Sequence, residues 1–118
     1  MKILICDDSK AMRMIVSRTV RQAGFEAELI EAENGKEGLA QVAAHAPDFI
    51  LSDWNMPEMT GIEFLNELRA SGNQTRFGFV TSETTPEMRE RAIAGGAEFL
   101  LGKPFTVEGF QDALGAVV

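Results

Sequence analysis

Polar residues with the chemistry of phosphoryl transfer lie far apart in this sequence, each directly after a short hydrophobic run. They are Asp7-Asp8, Asp53, Thr81-Ser82 and Lys103, the last within "LLGKPF". A carboxylate can attack a phosphoryl donor to give an acyl phosphate, provided that the charge on the three equatorial oxygens is neutralised. A divalent cation, the Lys103 ammonium, and the Thr81 hydroxyl with a backbone N–H could neutralise one oxygen each. These residue types alone do not decide which carboxylate is attacked.

The three carboxylates predict a metal site if the fold brings them together. Two carboxylates about 4 Å apart repel by roughly 4 kcal/mol at an effective dielectric constant near 20, and a divalent cation relieves that repulsion. Ligands that are all oxygen favour Mg²⁺ or Mn²⁺ over zinc. The single cysteine and single histidine offer no zinc-binding pattern.

Each of these residues has a simpler explanation when it is taken alone. An aspartate after a strand is often a turn former or a helix N-cap. A threonine that closes a strand reflects β-propensity, and a lysine before a proline is most often a solvated charge. The functional interpretation therefore depends on their coincidence at one edge of a sheet.

The elements that would position these residues alternate along the chain. Short apolar runs predict strands at Lys2–Cys6, Ala27–Glu31, Phe49–Ser52, Phe77–Thr81 and Phe99–Leu101. Helical spacing and turn signals predict helices at Ser9–Ala23, Gly35–His45, Gly61–Ala70, Pro86–Ala94 and Thr106–Val118. This alternation predicts one α/β domain over residues 1–118, with helices on both faces of a parallel sheet. Function in that class lies at the carboxyl ends of the strands, where all these polar residues fall.

The composition fits one ordinary globular domain. The chain has 118 residues, of which 45% are hydrophobic and 25% charged. Because no run approaches about 20 apolar residues and "MKILICDDSK" lacks a signal-peptide core, a cytoplasmic protein without a membrane span is expected. The net charge of −7 and the scattered basic residues argue against direct nucleic-acid binding. Cys6 lies within the first apolar run, which predicts a buried structural thiol.

Four motifs together resemble the receiver domain of two-component response regulators. They are Asp7-Asp8 after the first strand, "DWNMPEMTG" from Asp53, "VTSE" from Val80 and "GAEFLLGKPF" from Gly96. The resemblance covers essentially the whole chain in the right order. The "DWNMP" segment in particular is similar to receivers of the chemotaxis type.

The resemblance implies a flavodoxin-like (βα)5 fold with strand order 2-1-3-4-5. It implies that Asp53 is phosphorylated by a histidine kinase or a phosphotransfer protein. Asp8 and Asp53 would bind Mg²⁺ directly, together with the backbone carbonyl of Asn55, and Asp7 would hold the ion through water.

The resemblance also implies roles for residues that surround the phosphoryl group. Thr81 would move to meet that group, and Lys103 would contact it. The peptide bond between Lys103 and Pro104 would be cis, an isomer that costs only about 0.5–1 kcal/mol before proline. Asn55 and Glu83 occupy the two positions that tune the lifetime of the acyl phosphate, and their types imply a short-lived state.

One position departs from the family pattern. The switch residue of the fifth strand, usually Tyr or Phe, lies three positions before the lysine, and here that residue is Leu100. Phe99 stands one residue earlier and should face the opposite side of the sheet, unless a bulge near Gly102 shifts the register. The sequence leaves open whether Phe99 or Leu100 acts in the switch.

The function expected is a stand-alone, chemotaxis-like receiver that catalyses only its own phosphorylation and dephosphorylation. It would change partners through the surface of the fourth helix, fifth strand and fifth helix, with a flagellar motor or another kinase among the downstream targets. A monomer or a weak dimer is expected. One alternative is a receiver cut from a larger regulator with an output domain. An aspartyl-phosphate phosphatase would need a general acid where Asn55 stands, and a flavin carrier would not place Asp7-Asp8 after its first strand.

Overall fold

A computed structural model describes residues 1–117, in which strands and helices alternate from one end to the other. The strands are β1 (Lys2–Cys6), β2 (Glu28–Ala32), β3 (Phe49–Ser52), β4 (Arg76–Thr81) and β5 (Phe99–Gly102). The helices are α1 (Lys10–Gln22), α2 (Gly35–His45), α3 (Gly61–Ala70), α4 (Pro86–Ala94) and α5 (Val107–Gly115).

The strands form one parallel sheet in the order β2-β1-β3-β4-β5, which confirms the predicted topology. Cys6 at the end of β1 is paired with Ser52 at the end of β3. Ser52 is paired with Phe79 of β4, two residues before Thr81, and Thr81 is paired with Gly102 of β5. The residues that follow β1 and β3 are therefore neighbours across the sheet.

Alternate residues of each strand face different helices, so the sheet separates two hydrophobic clusters. One cluster lies between the sheet and α1 with α5, and its largest members are Ile3, Ile5, Phe49, Leu51, Phe110 and Leu114. The other lies beneath α2, α3 and α4, and its largest fully buried members are Leu4, Ile50, Phe64, Leu65, Phe77 and Phe79. Full burial of each such side chain contributes about 1.5–3 kcal/mol relative to exposure.

Local signals define the starts of the helices. The Ser9 side chain accepts a hydrogen bond from the Met12 N–H, so this residue is the N-cap of α1. Thr60 and Glu63 form a reciprocal capping box at the start of α3. Gly24 follows α1 with a φ of 91°, a left-handed conformation that glycine adopts without steric cost.

Several predicted boundaries were wrong by one or more residues. The strand predicted at Ala27–Glu31 lies one residue later, the fourth begins one residue earlier, and the fifth includes Gly102. Hydrogen bonding between strands continues at these ends, where hydrophobicity alone gives no signal.

The first and fifth helices are shorter than predicted. Ser9 and Ala23 are the caps of α1 rather than members of it. Thr106 is the N-cap of α5, because its side chain accepts from the Gly109 N–H, and α5 ends at Gly115. The predicted end at Val118 lies outside the described residues.

The first strand confirms the prediction for Cys6. This side chain is 1% exposed, and burial raises the pKa of its thiol to about 12. Within residues 1–117, no helix has the length and apolar character needed to cross a membrane.

Candidate functional site

The ends of β1 and β3 bring three carboxylates together. Asp7 and Asp8 follow β1, Asp53 follows β3, and the Asp53 N–H donates to the Cys6 carbonyl at 2.9 Å. One carboxylate oxygen from each aspartate lies within 4.8 Å of the other two. The predicted acidic cluster is therefore present at the carboxyl edge of the sheet.

The three aspartates differ in their exposure. Asp7 is 3% exposed, the Asp53 side chain is 12% exposed, and Asp8 is open to solvent. Burial raises the pKa of Asp7, whereas hydrogen bonds from the Ser9 N–H and from the Lys103 ammonium act to lower it. A buried carboxylate within such a cluster calls for positive charge beside it.

Lys103 supplies one positive charge. Its Nζ lies 3.1 Å from Asp7 Oδ2 and 3.2 Å from Asp53 Oδ2, and its side chain is only 15% exposed. One ammonium cannot balance three carboxylates, so the cluster retains an excess of negative charge. Closely spaced oxygen donors with excess negative charge fit a hard divalent cation.

The remaining oxygen of Asp53 faces the backbone that follows it. Its Oδ1 accepts a hydrogen bond from the Trp54 N–H at 2.7 Å. The Trp54 ring is 6% exposed, packs on Phe79 at 4.9 Å between ring centroids, and lies beneath the Arg91 guanidinium at 5.4 Å. The two oxygens of Asp53 thus accept from the Trp54 N–H and from the Lys103 ammonium.

Thr81 contributes a hydroxyl without a partner. The residue is 0% exposed, and its Oγ1 forms no hydrogen bond within residues 1–117. Its carbonyl accepts a hydrogen bond from the Lys103 N–H at 2.8 Å, which ties the ends of β4 and β5 together. Buried hydroxyls are normally paired, so this group is an exception and can donate to an additional acceptor.

The other predicted residues lie in loops at the same ends of their strands. Asn55 and Glu83 are exposed, the former after β3 and the latter after β4. The Lys103–Pro104 peptide bond is cis, and Pro104 is exposed.

Leu100 and Phe99 face opposite sides of the sheet. Leu100 is 5% exposed and belongs to the cluster beneath α2, α3 and α4, whereas Phe99 packs on the cluster beneath α1 and α5. The ladder between β4 and β5 runs without a bulge from Gly78–Phe99 to Thr81–Gly102. Leu100 therefore lies on the same face as Phe79 and Thr81, and Phe99 cannot replace it.

Sequence reasoning missed Arg13. Its guanidinium is almost fully buried, donates from Nη1 to the Asp7 carbonyl at 2.7 Å, and pairs through Nε with Glu31 at 2.9 Å. The sequence feature that could have revealed it is its position, three residues before Val16 on the apolar face of α1. It fixes the main chain of the residue that begins the acidic turn.

Residues 3–115 match the family described as the response regulator receiver domain. The chain is 34% identical over 118 residues to a probable chemotaxis protein CheY from Rhizobium etli, covering 98% of this chain and 91% of that protein. It is 33% identical to chemotaxis protein CheY1 from Helicobacter pylori, covering 100% and 97%. The structure of CheY4 from Vibrio cholerae superposes with a TM-score of 0.86 at 39% identity, covering 99% and 98%. The chain belongs to the response regulator receiver domain family.

Proposed function

We propose that this chain is a phosphorylation-operated switch in which Asp53 accepts a phosphoryl group in a Mg²⁺-dependent reaction. The observation that carries the proposal is the Lys103 ammonium, 3.2 Å from one oxygen of a partly buried Asp53 that lies beside two further aspartates. An aspartate, a cation site and a lysine within contact distance of one another supply the nucleophile and the charge neutralisation that phosphoryl transfer requires.

The chemical step is a displacement at phosphorus. An oxygen of the Asp53 carboxylate forms a bond to phosphorus while the bond from phosphorus to the donor breaks, and the electron pair leaves with the donor. Lys103 contacts one phosphoryl oxygen, and the unpartnered hydroxyl of Thr81 donates to another. Attack by water on the same phosphorus later returns the free carboxylate and inorganic phosphate.

Mg²⁺ or Mn²⁺, when bound, supplies charge neutralisation for the third phosphoryl oxygen. Asp8 and Asp53 would hold the ion directly with the backbone carbonyl of Asn55, and Asp7 would hold it through water. Its ligand set of oxygens, with one exposed aspartate, suits an ion that retains several waters. The protein turns over no other substrate: it catalyses its own phosphorylation and dephosphorylation.

The phosphorylated state is read out at α4, β5 and α5. Movement of Thr81 toward the phosphoryl group pulls on the loop between β4 and α4. Leu100 lies on the same face of the sheet as Thr81 and packs in the cluster that includes Ala92 of α4. Leu100 therefore occupies the switch position, where its smaller side chain contacts fewer neighbouring atoms than an aromatic ring would.

The phosphoryl donor is a histidine kinase or a phosphotransfer protein, and the receiving partner is a downstream protein. The full-length similarity to proteins named for chemotaxis supports a flagellar motor component or another kinase as that target. Asn55 and Glu83 are exposed polar residues that can hold or hinder a water molecule, so the acyl phosphate is short-lived. Persistence of the phosphorylated form for many hours without denaturant would contradict this lifetime.

The test is incubation with acetyl phosphate, with and without Mg²⁺, followed by intact-mass measurement. The wild type gains one phosphoryl group only when Mg²⁺ is present, and Asp53→Asn gains none. Asp48→Asn is the matched control, because Asp48 is an exposed aspartate that precedes the same strand at its opposite end. Phosphorylation of Asp53→Asn at the wild-type level, or of wild type without Mg²⁺, would overturn the proposal.

A further inference from the structure

The loop from Asp53 to Gly61 is tied to the start of α2 by contacts outside the acidic cluster. Asn34 Nδ2 donates a hydrogen bond to Glu58 Oε2 at 3.0 Å. The next residue, Gly35, donates its N–H to the Met59 carbonyl at 3.3 Å. Asn34 and Gly35, at the start of α2, are therefore bonded to Glu58 and Met59 of the loop.

Close packing reinforces these hydrogen bonds. A Cβ atom on Gly35 would lie 2.6 Å from Met59 Cγ and 2.9 Å from Met59 Cβ, so only glycine permits this approach. Asn34 is 8% exposed, which shields its side of the contact from water. The contact is thus closely packed on the side of Asn34 and Gly35, whereas Glu58 is exposed to solvent.

The backbone of Glu58 needs such support. Its φ is 64°, a left-handed conformation that residues with a Cβ rarely adopt. Strained residues of this kind persist when their surroundings fix them. The hydrogen bond from Asn34 offsets the unfavourable conformation at Glu58.

The held segment carries the phosphoryl acceptor. The Asp53 N–H is bound to the Cys6 carbonyl, and the Gly61 N–H is bound to the Trp54 carbonyl at 2.8 Å. The start of the loop is therefore anchored to β1, its end is bonded back to Trp54 near that start, and its middle is held by Asn34 through Glu58. Asn55 lies between the anchored start and Glu58.

We propose that Asn34 is a positioning residue for the metal and phosphoryl site: acting through Glu58, it fixes the 53–61 loop that presents Asp53 and Asn55. The inference rests on the proposed function of Asp53. It concerns a residue outside the acidic cluster that, among the described residues, forms no hydrogen bond with any of the three aspartates.

The two roles of Asn34 can be separated by one substitution. Its Oδ1 accepts from the Glu37 N–H at 2.9 Å and caps α2, whereas its Nδ2 serves Glu58. Aspartate is an equally good N-cap, so Asn34→Asp keeps the cap and sets a carboxylate against the Glu58 carboxylate. Adding Glu58→Gln restores a donor and acceptor pair and returns the net charge to that of wild type.

The test is a Mg²⁺ titration followed by Trp54 fluorescence in wild type, Asn34→Asp, Glu58→Gln and the double variant. Asn34→Asp should bind Mg²⁺ about tenfold more weakly, as for loss of an outer-shell contact. One added negative charge would by itself strengthen the binding of Mg²⁺, so weaker binding in Asn34→Asp cannot be an effect of net charge. The double variant and Glu58→Gln should be within about twofold of wild type.

Amide hydrogen exchange of Gly35 in metal-free protein gives a readout that does not depend on phosphorylation. It should quicken in Asn34→Asp and recover in the double variant, because the Gly35 N–H is bound to the Met59 carbonyl. Asn73→Asp is the matched control: Asn73 Oδ1 accepts from the Thr75 N–H in a turn that contains none of the site residues. That variant should leave both readouts unchanged.

Failure of the metal site and failure of the positioning role of Asn34 would give different results. A wild type that binds no Mg²⁺ overturns the proposed function, and the metal-site role of Asn34 with it. Wild-type affinity and exchange in Asn34→Asp overturn the positioning role alone. A loss in Asn34→Asp that Glu58→Gln does not repair also overturns it, since the effect then does not pass through Glu58.

Discussion

Lys103 Nζ lies 3.2 Å from Asp53 Oδ2, although 50 residues separate the two in sequence. The contact exists because β3 and β5 both pair with β4 and end at the same edge. The same ammonium also lies 3.1 Å from Asp7 Oδ2. Lys103 therefore supplies part of the positive charge that offsets this acidic cluster.

Replacement of this counter-ion should destabilise the metal-free protein. Lys103→Met leaves Asp7 and Asp53 unpaired, which we expect to lower the free energy of unfolding by about 1–3 kcal/mol, less than for a fully buried pair because these side chains retain some exposure. Urea denaturation without metal measures the loss, and added Mg²⁺ should restore most of it. Lys36→Met, at an exposed lysine of α2, should stay within about 0.5 kcal/mol of wild type. Equal unfolding midpoints for wild type and Lys103→Met in metal-free buffer would refute this role.

The buried hydroxyl of Thr81 should lower the free energy of unfolding of the unphosphorylated protein. Thr81→Val keeps the shape of the side chain and removes a buried hydroxyl that has no partner in the described part of the chain, so the free energy of unfolding should rise by about 1 kcal/mol. The same variant should lose most of the Trp54 fluorescence response to phosphorylation, whereas Thr81→Ser should keep it. A Thr81→Val protein that is less stable than wild type would show that the hydroxyl has a favourable partner.

Local sequence signals located the strands and helices to within a few residues, because apolar runs and helix caps depend on neighbouring residues. Ser9, Asn34 and Pro86 each stand within one residue of a helix start. The opposite orientations of Leu100 and Phe99 also followed from strand alternation alone. Contacts between distant segments could not be found in this way.

Two long-range contacts show why. Arg13 is buried on an amphipathic helix because the Asp7 carbonyl and Glu31 compensate its charge, and no periodicity reveals that pairing. The hydrogen bond from Asn34 to Glu58 links loops 24 residues apart, and it depends on the left-handed backbone of Glu58. Such contacts follow from the register of the sheet and the paths of its loops.

Replacement of Ala46 by glycine should stabilise the protein. This residue caps α2 in a left-handed conformation, with φ 47° and ψ 61°, and a side chain there costs about 1–2 kcal/mol. Ala46→Gly should therefore raise the thermal midpoint by about 4 °C, the shift expected for roughly 1 kcal/mol in a domain of this size. Ala43→Gly, within the same helix and exposed, should instead lower stability by about 0.5–1 kcal/mol. Equal losses in both variants would contradict the expected effect at the cap.

The capping box of α3 should make stability depend on pH. Hydrogen bonds from the Thr60 N–H and hydroxyl lower the pKa of Glu63 below its ordinary value of 4.5. A depressed carboxylate pKa stabilises the fold above the ordinary pKa, and this contribution is lost as the pH falls through the folded-state value. The stability difference between wild type and Glu63→Gln should therefore be present at neutral pH and fade below pH 4.5. A Glu63→Gln difference that is constant with pH would argue against the cap.

The most direct test of the phosphoryl site is a crystal structure with Mg²⁺ and beryllofluoride, a mimic of the phosphoryl group. It should show the mimic bonded to an oxygen of Asp53, with Lys103 Nζ and Thr81 Oγ1 on two of its fluorines and the metal between Asp8 and Asp53. A mimic bound at another residue, or Lys103 remaining between Asp7 and Asp53 with Thr81 unmoved, would contradict the proposed function.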